Sequence, residues 1–171
     1  MSAIWYLLDF PKCWEKSERL KLIEACKREG TIKEVFLPSY DRMKRYQGAW
    51  HIESRYLFPD SIFLKENDGE RFLHLFRDIY SELLQETEAC ALTSVDEKAV
   101  DFLQELCGKE QHMPFSRGYI HDGTTFVTEG PLRGKESFIR RIDRHKRLAR
   151  LEVPIPEKNL VDVGLEIYAK D

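Results

Sequence analysis

Apolar positions in this chain alternate between short runs of strand length and longer stretches at helical spacing, and that alternation predicts the elements. Ile4-Trp5-Tyr6-Leu7-Leu8 is a compact apolar run closed by Phe10-Pro11, which predicts a strand. From Lys12 to Glu29 charges become dense, and Trp14, Leu20, Ile23 and Cys26 give a helical stripe that Gly30 terminates. Ile32 to Leu37 reads as a second strand ended by Pro38. Trp50 to Leu57 and Ser61 to Leu64 read as two more, broken by Phe58-Pro59-Asp60, where proline removes a ladder donor and forces a bend or a sheet edge. Asp68 to Leu84 carries Phe72, Leu75, Phe76, Ile79 and Leu83 at spacings of three and four, an amphipathic helix. Ser94-Val95-Asp96-Glu97 offers a capping box for a further helix that continues through Val100, Leu103 and Leu106 to Gly108. This order predicts an α+β fold, with helices packed on one face of an antiparallel N-terminal sheet.

Past Phe115 the pattern changes to strands and turns. In Gly130 to Arg150, GPLRGKESFIRRIDRHKRLAR, a Gly/Pro turn leads into a strand-like run, a basic turn and a second strand-like run. Strict alternation fails between Ile139 and Ile142, which predicts a bulge or an early strand end near Arg141. Beyond the turn, Ala149, Leu151 and Val153 alternate inward, which turns Arg150 outward. Gly108 to Arg117, GKEQHMPFSR, interrupts both patterns and places a boundary between modules at 1–110 and 117–171.

Charge sharpens this division. The 171-residue chain has a formal net charge of -3, with 42% hydrophobic and 33% charged residues. Up to Phe115 it holds 16 Lys/Arg against 21 Asp/Glu, and from Ser116 onward 11 against 9. Arg140, Arg141, Arg144, Lys146, Arg147 and Arg150 crowd the second strand pair, with His145 at its tip, and are expected to form a basic stripe. Such a concentration of cations in a slightly acidic chain is the electrostatic footprint of a phosphate-backbone reader. A solvated surface hairpin is the alternative reading of the same charges.

Catalytic and metal signatures are missing from the sequence. It has no GxSxG, HExxH or P-loop pattern, and His51, His74, His112, His121 and His145 are scattered. Cys13, Cys26, Cys90 and Cys107 lie far apart without zinc spacing and read as reduced packing thiols. No enzyme activity, catalytic residue, cofactor or metal is expected. Neither a spanning run nor a signal-like N-terminus is present, so a cytoplasmic location without a membrane partner is expected.

Thr125-Phe126-Val127-Thr128-Glu129-Gly130-Pro131-Leu132-Arg133-Gly134 resembles the KOW motif of small RNA- and protein-binding barrels. Taken with the Trp5-Tyr6 strand, Val35-Phe36-Leu37-Pro38 and Leu57-Phe58-Pro59-Asp60-Ser61-Ile62-Phe63, the chain resembles the NusG family of transcription elongation factors over nearly its whole length. The segment from Gly118 onward is most similar to the LoaP-type specialised processive antiterminators.

The resemblance implies an N-terminal NGN-like domain that binds the clamp helices of the RNA polymerase largest subunit and suppresses pausing. It also implies a C-terminal SH3-like KOW barrel that recruits a ribosomal protein, a termination factor or a nascent RNA hairpin. Non-template DNA is a further candidate contact. Tyr6, Phe58, Pro59, Ile62 and Phe63 match the polymerase-binding segment, on the expectation of an apolar patch exposed beside Phe58 and Pro59; plain sheet core is the competing role. Many relatives carry Gly or Asn and then Tyr after the Phe-Pro pair, where this chain has Asp60 and Ser61. Alternatives to a LoaP-like factor are a housekeeping NusG-type factor whose KOW domain binds protein, and a ribosome-associated KOW RNA-binding protein, against which a pI near 6.0 argues.

Overall fold

The computed structural model describes residues 3–10, 15–28, 30, 32–83 and 91–171; among these, the side chains of Cys26, Phe76, 79–83 and Ala91 are undescribed. Expectations placed on Pro11, Cys13, Trp14, Glu29, Leu84 and Cys90, and on the side chains of Cys26, Phe76, Ile79 and Leu83, therefore lie outside the described residues. Contacts divide the chain into two compact units, one of residues 1–37 with 60–97 and the other of 38–59 with 98–171.

The first unit is built on a four-stranded sheet. Its strands are β1 (Ile4–Asp9), β2 (Ile32–Phe36), β5 (Ser61–Glu66) and β6 (Ala91–Val95), in the order β2-β5-β1-β6 with every neighbour antiparallel. Helices α1 (Lys16–Arg28) and α2 (Gly69–Leu83) complete the unit. Alternation sends Leu8, Phe10, Ile62 and Leu64 to one face, where they form a core with Leu22 of α1 and Phe72 of α2. Trp5, Leu7, Phe36 and Phe63 take the opposite face and are buried as well, with Phe36 in ring contact with Trp5 (6.4 Å) and Phe63 (5.7 Å). Both expected helices and the antiparallel sheet are therefore present.

The second unit carries the hairpin β3 (Ser39–Tyr46) and β4 (Ala49–Tyr56), helix α3 (Glu97–Cys107, from Lys98 on) and the two-residue strand β7 (His112–Met113), which pairs parallel with β3. A five-stranded sheet follows, of β8 (Ser116–His121), β9 (Thr124–Glu129), β10 (Ile139–Asp143), β11 (Leu148–Glu152) and β12 (Leu160–Lys170). Its order is β10-β11-β12-β8-β9, with β12 and β8 parallel. Val127, Leu132, Ala149, Leu151, Val153, Val163 and Leu165 are buried in it.

Several expectations change. The C-terminal strands form an open sheet rather than a closed barrel, with β9 and β10 as its edges. The segment joining them explains this: Gly130 turns the chain, one turn of tight helix follows at Glu136–Phe138, and the Glu136 carboxylate accepts the Val127 N–H at 3.1 Å on the β9 edge. The Gly130 turn itself is fixed by crowding. Its φ is +96°, and a Cβ there would lie 2.5 Å from Ser116 Oγ and 2.7 Å from the Phe115 carbonyl. Ser94 is a strand residue paired with Tyr6, so the expected capping box fails and α3 starts at Glu97. On α1, Leu22 is buried while Leu20 is 48% exposed.

Candidate nucleic-acid interface

The basic turn joins β10 to β11 between the paired residues Asp143 and Leu148. A register shift between Ile139 and Arg141 is the irregularity that broken alternation predicts there, and beyond the turn Ala149, Leu151 and Val153 are buried with Arg150 exposed. Asp143 closes the turn: its Oδ1 accepts the Lys146 N–H at 3.0 Å, and that bond, reinforced by the Lys146 charge and the His145 N–H, holds the carboxyl below its ordinary range. Arg147 leaves the turn with φ +54°, a left-handed conformation uncommon for a side chain of this size.

The expected stripe of cations divides by environment. Arg140 pairs with Glu152, and Arg150 makes a two-point contact with Asp162 at 3.1 and 3.4 Å that raises the guanidinium pKa further. Arg147 rests 4.2 Å from the Trp50 ring centroid on β4, donates to Met43 Sδ at 3.1 Å and lies 3.6 Å from Glu166 Oε1. Arg141, Arg144, His145 and Lys146 are exposed, and Arg141 and Arg144 have no ion pair among the described residues. Arg141, Arg144, His145 and Arg147 line an open groove of about 560 Å³ together with Glu166. Arg141, Lys146 and Arg150 line a second, of about 210 Å³.

That second groove contains a residue the sequence pattern did not single out, Arg42 of β3. Trp50 likewise reads from the sequence only as a strand residue. Their signal was present in the hairpin's own composition, where residues 38–59 hold four Lys/Arg against two acids, with Tyr40, Tyr46, Trp50 and Tyr56 interleaved. What a sequence cannot supply is the packing of this hairpin against the C-terminal sheet, where β12 and β3 come into contact within one unit.

The residues matched to polymerase binding have mixed environments. Pro59 is exposed and Tyr6 is half-buried against Phe72, with ring centroids 5.7 Å apart. Phe58, Ile62 and Phe63 are 5%, 2% and 0% exposed, so the expected apolar surface is core at these three positions. Asp60 and Ser61, the two departures from the family pattern, act as fasteners: the Asp60 carbonyl accepts Phe10 N–H at 2.8 Å, its carboxylate takes Arg19 at 3.2 Å, and the Ser61 hydroxyl bonds Asp9.

His112 is less isolated than its sequence position suggests. Its Nε2 lies 2.7 Å from Asp41 Oδ1 and its Nδ1 2.7 Å from Ser39 Oγ, an arrangement of the hydroxyl–imidazole–carboxylate type. Neither groove is lined by these residues, and Ser39 is tied at its N–H to the Gln111 carbonyl (3.0 Å). The trio fastens β7 to β3. No group of metal-ligating side chains occurs among the described residues, and no helix there is long and apolar enough to cross a membrane.

No protein-family model and no curated protein matches the chain. Among solved structures, a chain described as "Domain interaction in Thermotoga maritima NusG" aligns with 98% of this chain and 95% of its own, at 16% identity and a TM-score of 0.49. That likeness is too loose to carry an argument about fold or function.

Proposed function

We propose that this chain is a non-catalytic, cytoplasmic transcription elongation factor of the NusG family, of the LoaP-like antiterminator kind. In this reading a module at 1–110 binds the clamp helices of RNA polymerase, and a KOW module at 117–171 recruits the factor by binding a hairpin in the nascent RNA. The factor suppresses pausing by favouring a closed clamp, a population shift driven by binding energy rather than by bond-making.

The observation that carries the RNA part is the exposed pair Arg141 and Arg144, without ion pairs among the described residues, on a groove whose third arginine, Arg147, is held by Trp50 and Glu166. Exposed guanidinium groups on β10 and the turn that follows it suit the phosphates of a stem and the splayed bases of a loop. Single-round transcription by polymerase on a terminator template encoding the RNA hairpin, combined with RNA binding across a salt series, tests the reading. Arg141→Ala with Arg144→Ala is expected to abolish read-through and flatten the salt slope by about two units. Unchanged RNA affinity in the folded variant removes RNA recruitment. For polymerase contact Pro59→Glu is the informative change, because substitutions at Phe58, Ile62 or Phe63 would unfold the core first; unaltered co-purification excludes that segment.

One observation favours a KOW module that docks protein instead. Tyr119, Phe126 and Tyr168 form an aromatic cluster on β8, β9 and β12, with centroids 5.2 and 6.1 Å apart, Arg117 over Tyr168, and Phe126 and Tyr168 42% and 49% exposed. Loss of read-through on Phe126→Ser, with RNA affinity retained, selects that reading.

A further inference from the structure

The β3–β4 hairpin carries a surface that the RNA reading leaves unused. Its strands are in strict register, with Lys44 opposite His51 and Tyr46 opposite Ala49, so Arg42, Lys44, Tyr46 and His51 project from one face. Tyr46 and His51 are stacked nearly parallel, centroids 3.7 Å apart and planes 12° off, and His51 Nε2 lies 3.2 Å from the Tyr46 carbonyl. The tip behind them is tight: Gln47 and Gly48 have φ of +52° and +74°, the pattern of a two-residue hairpin turn. Tyr46 remains 43% exposed, so the stack presents a ring to solvent.

Arg42 connects this stack with the arginine turn. It lines the same groove as Arg141, Lys146 and Arg150, with Asp143 and Asp162 on the same wall, and its guanidinium hydrogen-bonds the Tyr40 side chain. Across the hairpin Arg42 faces Glu53, which is ion-paired with Arg55 at 3.1 Å. As a groove-lining cation next to Arg141, Lys146 and Arg150, Arg42 adds to a local excess of positive charge, four cations against two carboxylates, that suits a phosphate. From Arg42 to Tyr46 the strand runs about 13 Å, through exposed Lys44.

We propose that the hairpin binds a single-stranded segment flanking the RNA stem, with Arg42 and Lys44 on its phosphates and an unpaired base stacked on the Tyr46–His51 pair. This rests on the reading of the arginine turn as an RNA stem site and extends it to a second element. Base stacking on aromatic side chains tolerates any sequence because every base has a π-face, whereas the groove sets where the strand enters.

The full chain tests this with three probes at low salt: an RNA stem-loop, the same stem-loop with an oligo-adenylate tail carrying a fluorescent aminopurine, and the tail alone. The tail is expected to raise affinity for the stem-loop about tenfold and the aminopurine to be quenched on binding. Tyr46→Ala and His51→Ala should each remove most of that gain and the quenching while leaving stem-loop affinity unchanged; Tyr46→Phe should keep both. Arg42→Ala should lower the salt dependence contributed by the tail. A stem-loop that binds equally well with and without the tail, or a tail gain indifferent to Tyr46 and His51, overturns the inference and leaves the stem reading intact. If the stem-loop itself does not bind, the stem reading fails, and quenching of the tail alone decides the hairpin: Tyr46-dependent quenching sustains it and its absence overturns it.

Discussion

Arg147 clamps β3, β4 and β12 together through Met43, Trp50 and Glu166, and its energetics can be divided by substitution. Its guanidinium sits 4.2 Å from the Trp50 ring and is one-quarter exposed, which puts the cation–π contact at about 1 kcal/mol. The 3.6 Å ion pair with Glu166, partly open to water, adds about 0.5 kcal/mol. Against these stands the left-handed backbone at φ +54°, roughly 1 kcal/mol less favourable for any side chain than for glycine. Arg147→Ala loses both contacts and keeps the strain, so it should cost about 1.5 kcal/mol. Arg147→Gly loses the same contacts but relieves the backbone, and should cost only about 0.5 kcal/mol. Trp50→Leu combined with Arg147→Ala should show a coupling of about 1 kcal/mol. Urea unfolding followed by tryptophan fluorescence and by circular dichroism reads these as midpoint shifts at constant slope. Equal midpoints for the Ala and Gly variants would refute backbone strain at Arg147, and a null coupling would refute the clamp. The same logic places Arg147→Ala below Arg144→Ala in its effect on the salt dependence of RNA binding.

Gly130→Ala should destabilise by more than about 2 kcal/mol, because φ +96° and the crowding of Ser116 and Phe115 both oppose a side chain; a wild-type unfolding midpoint contradicts this. Asp143 has a lowered pKa, so its contribution to the turn is present above the unfolded carboxylate range and disappears as pH falls through the folded value. The Lys146 amide resonance should report that acid transition, and Asp143→Asn should abolish it. Cys107 is buried, with its thiol pushed up to about 12 by desolvation, so it stays protonated at neutral pH. Site-resolved mass spectrometry should find Cys107 alkylated by iodoacetamide at least about tenfold faster in denaturant than in the native state.

The local features of this protein were legible in its sequence because they depend on near neighbours. Strand β1, helix α2, the bulge before Arg141 and the inward alternation of Ala149, Leu151 and Val153 all follow from spacing along one element. The basic turn was legible for the same reason, since its charges are consecutive. Strand β3 was not, because Lys44, Arg45 and Tyr46 are exposed and give no apolar alternation. Nor was β6, a five-residue strand, ALTSV, whose role is set by pairing with β1.

Tertiary structure alone decided which cations are available and which aromatic rings are core. Glu152, Asp162 and Glu166 reach Arg140, Arg150 and Arg147 across strands, and Trp50 approaches from a hairpin ninety-seven positions earlier in the chain. Phe58, Ile62 and Phe63 read as surface candidates by resemblance, but packing buries them. A sequence fixes the charge and size of each side chain, while solvent exposure and ion pairing depend on distances between residues far apart in the chain, and those distances exist only once the chain has folded.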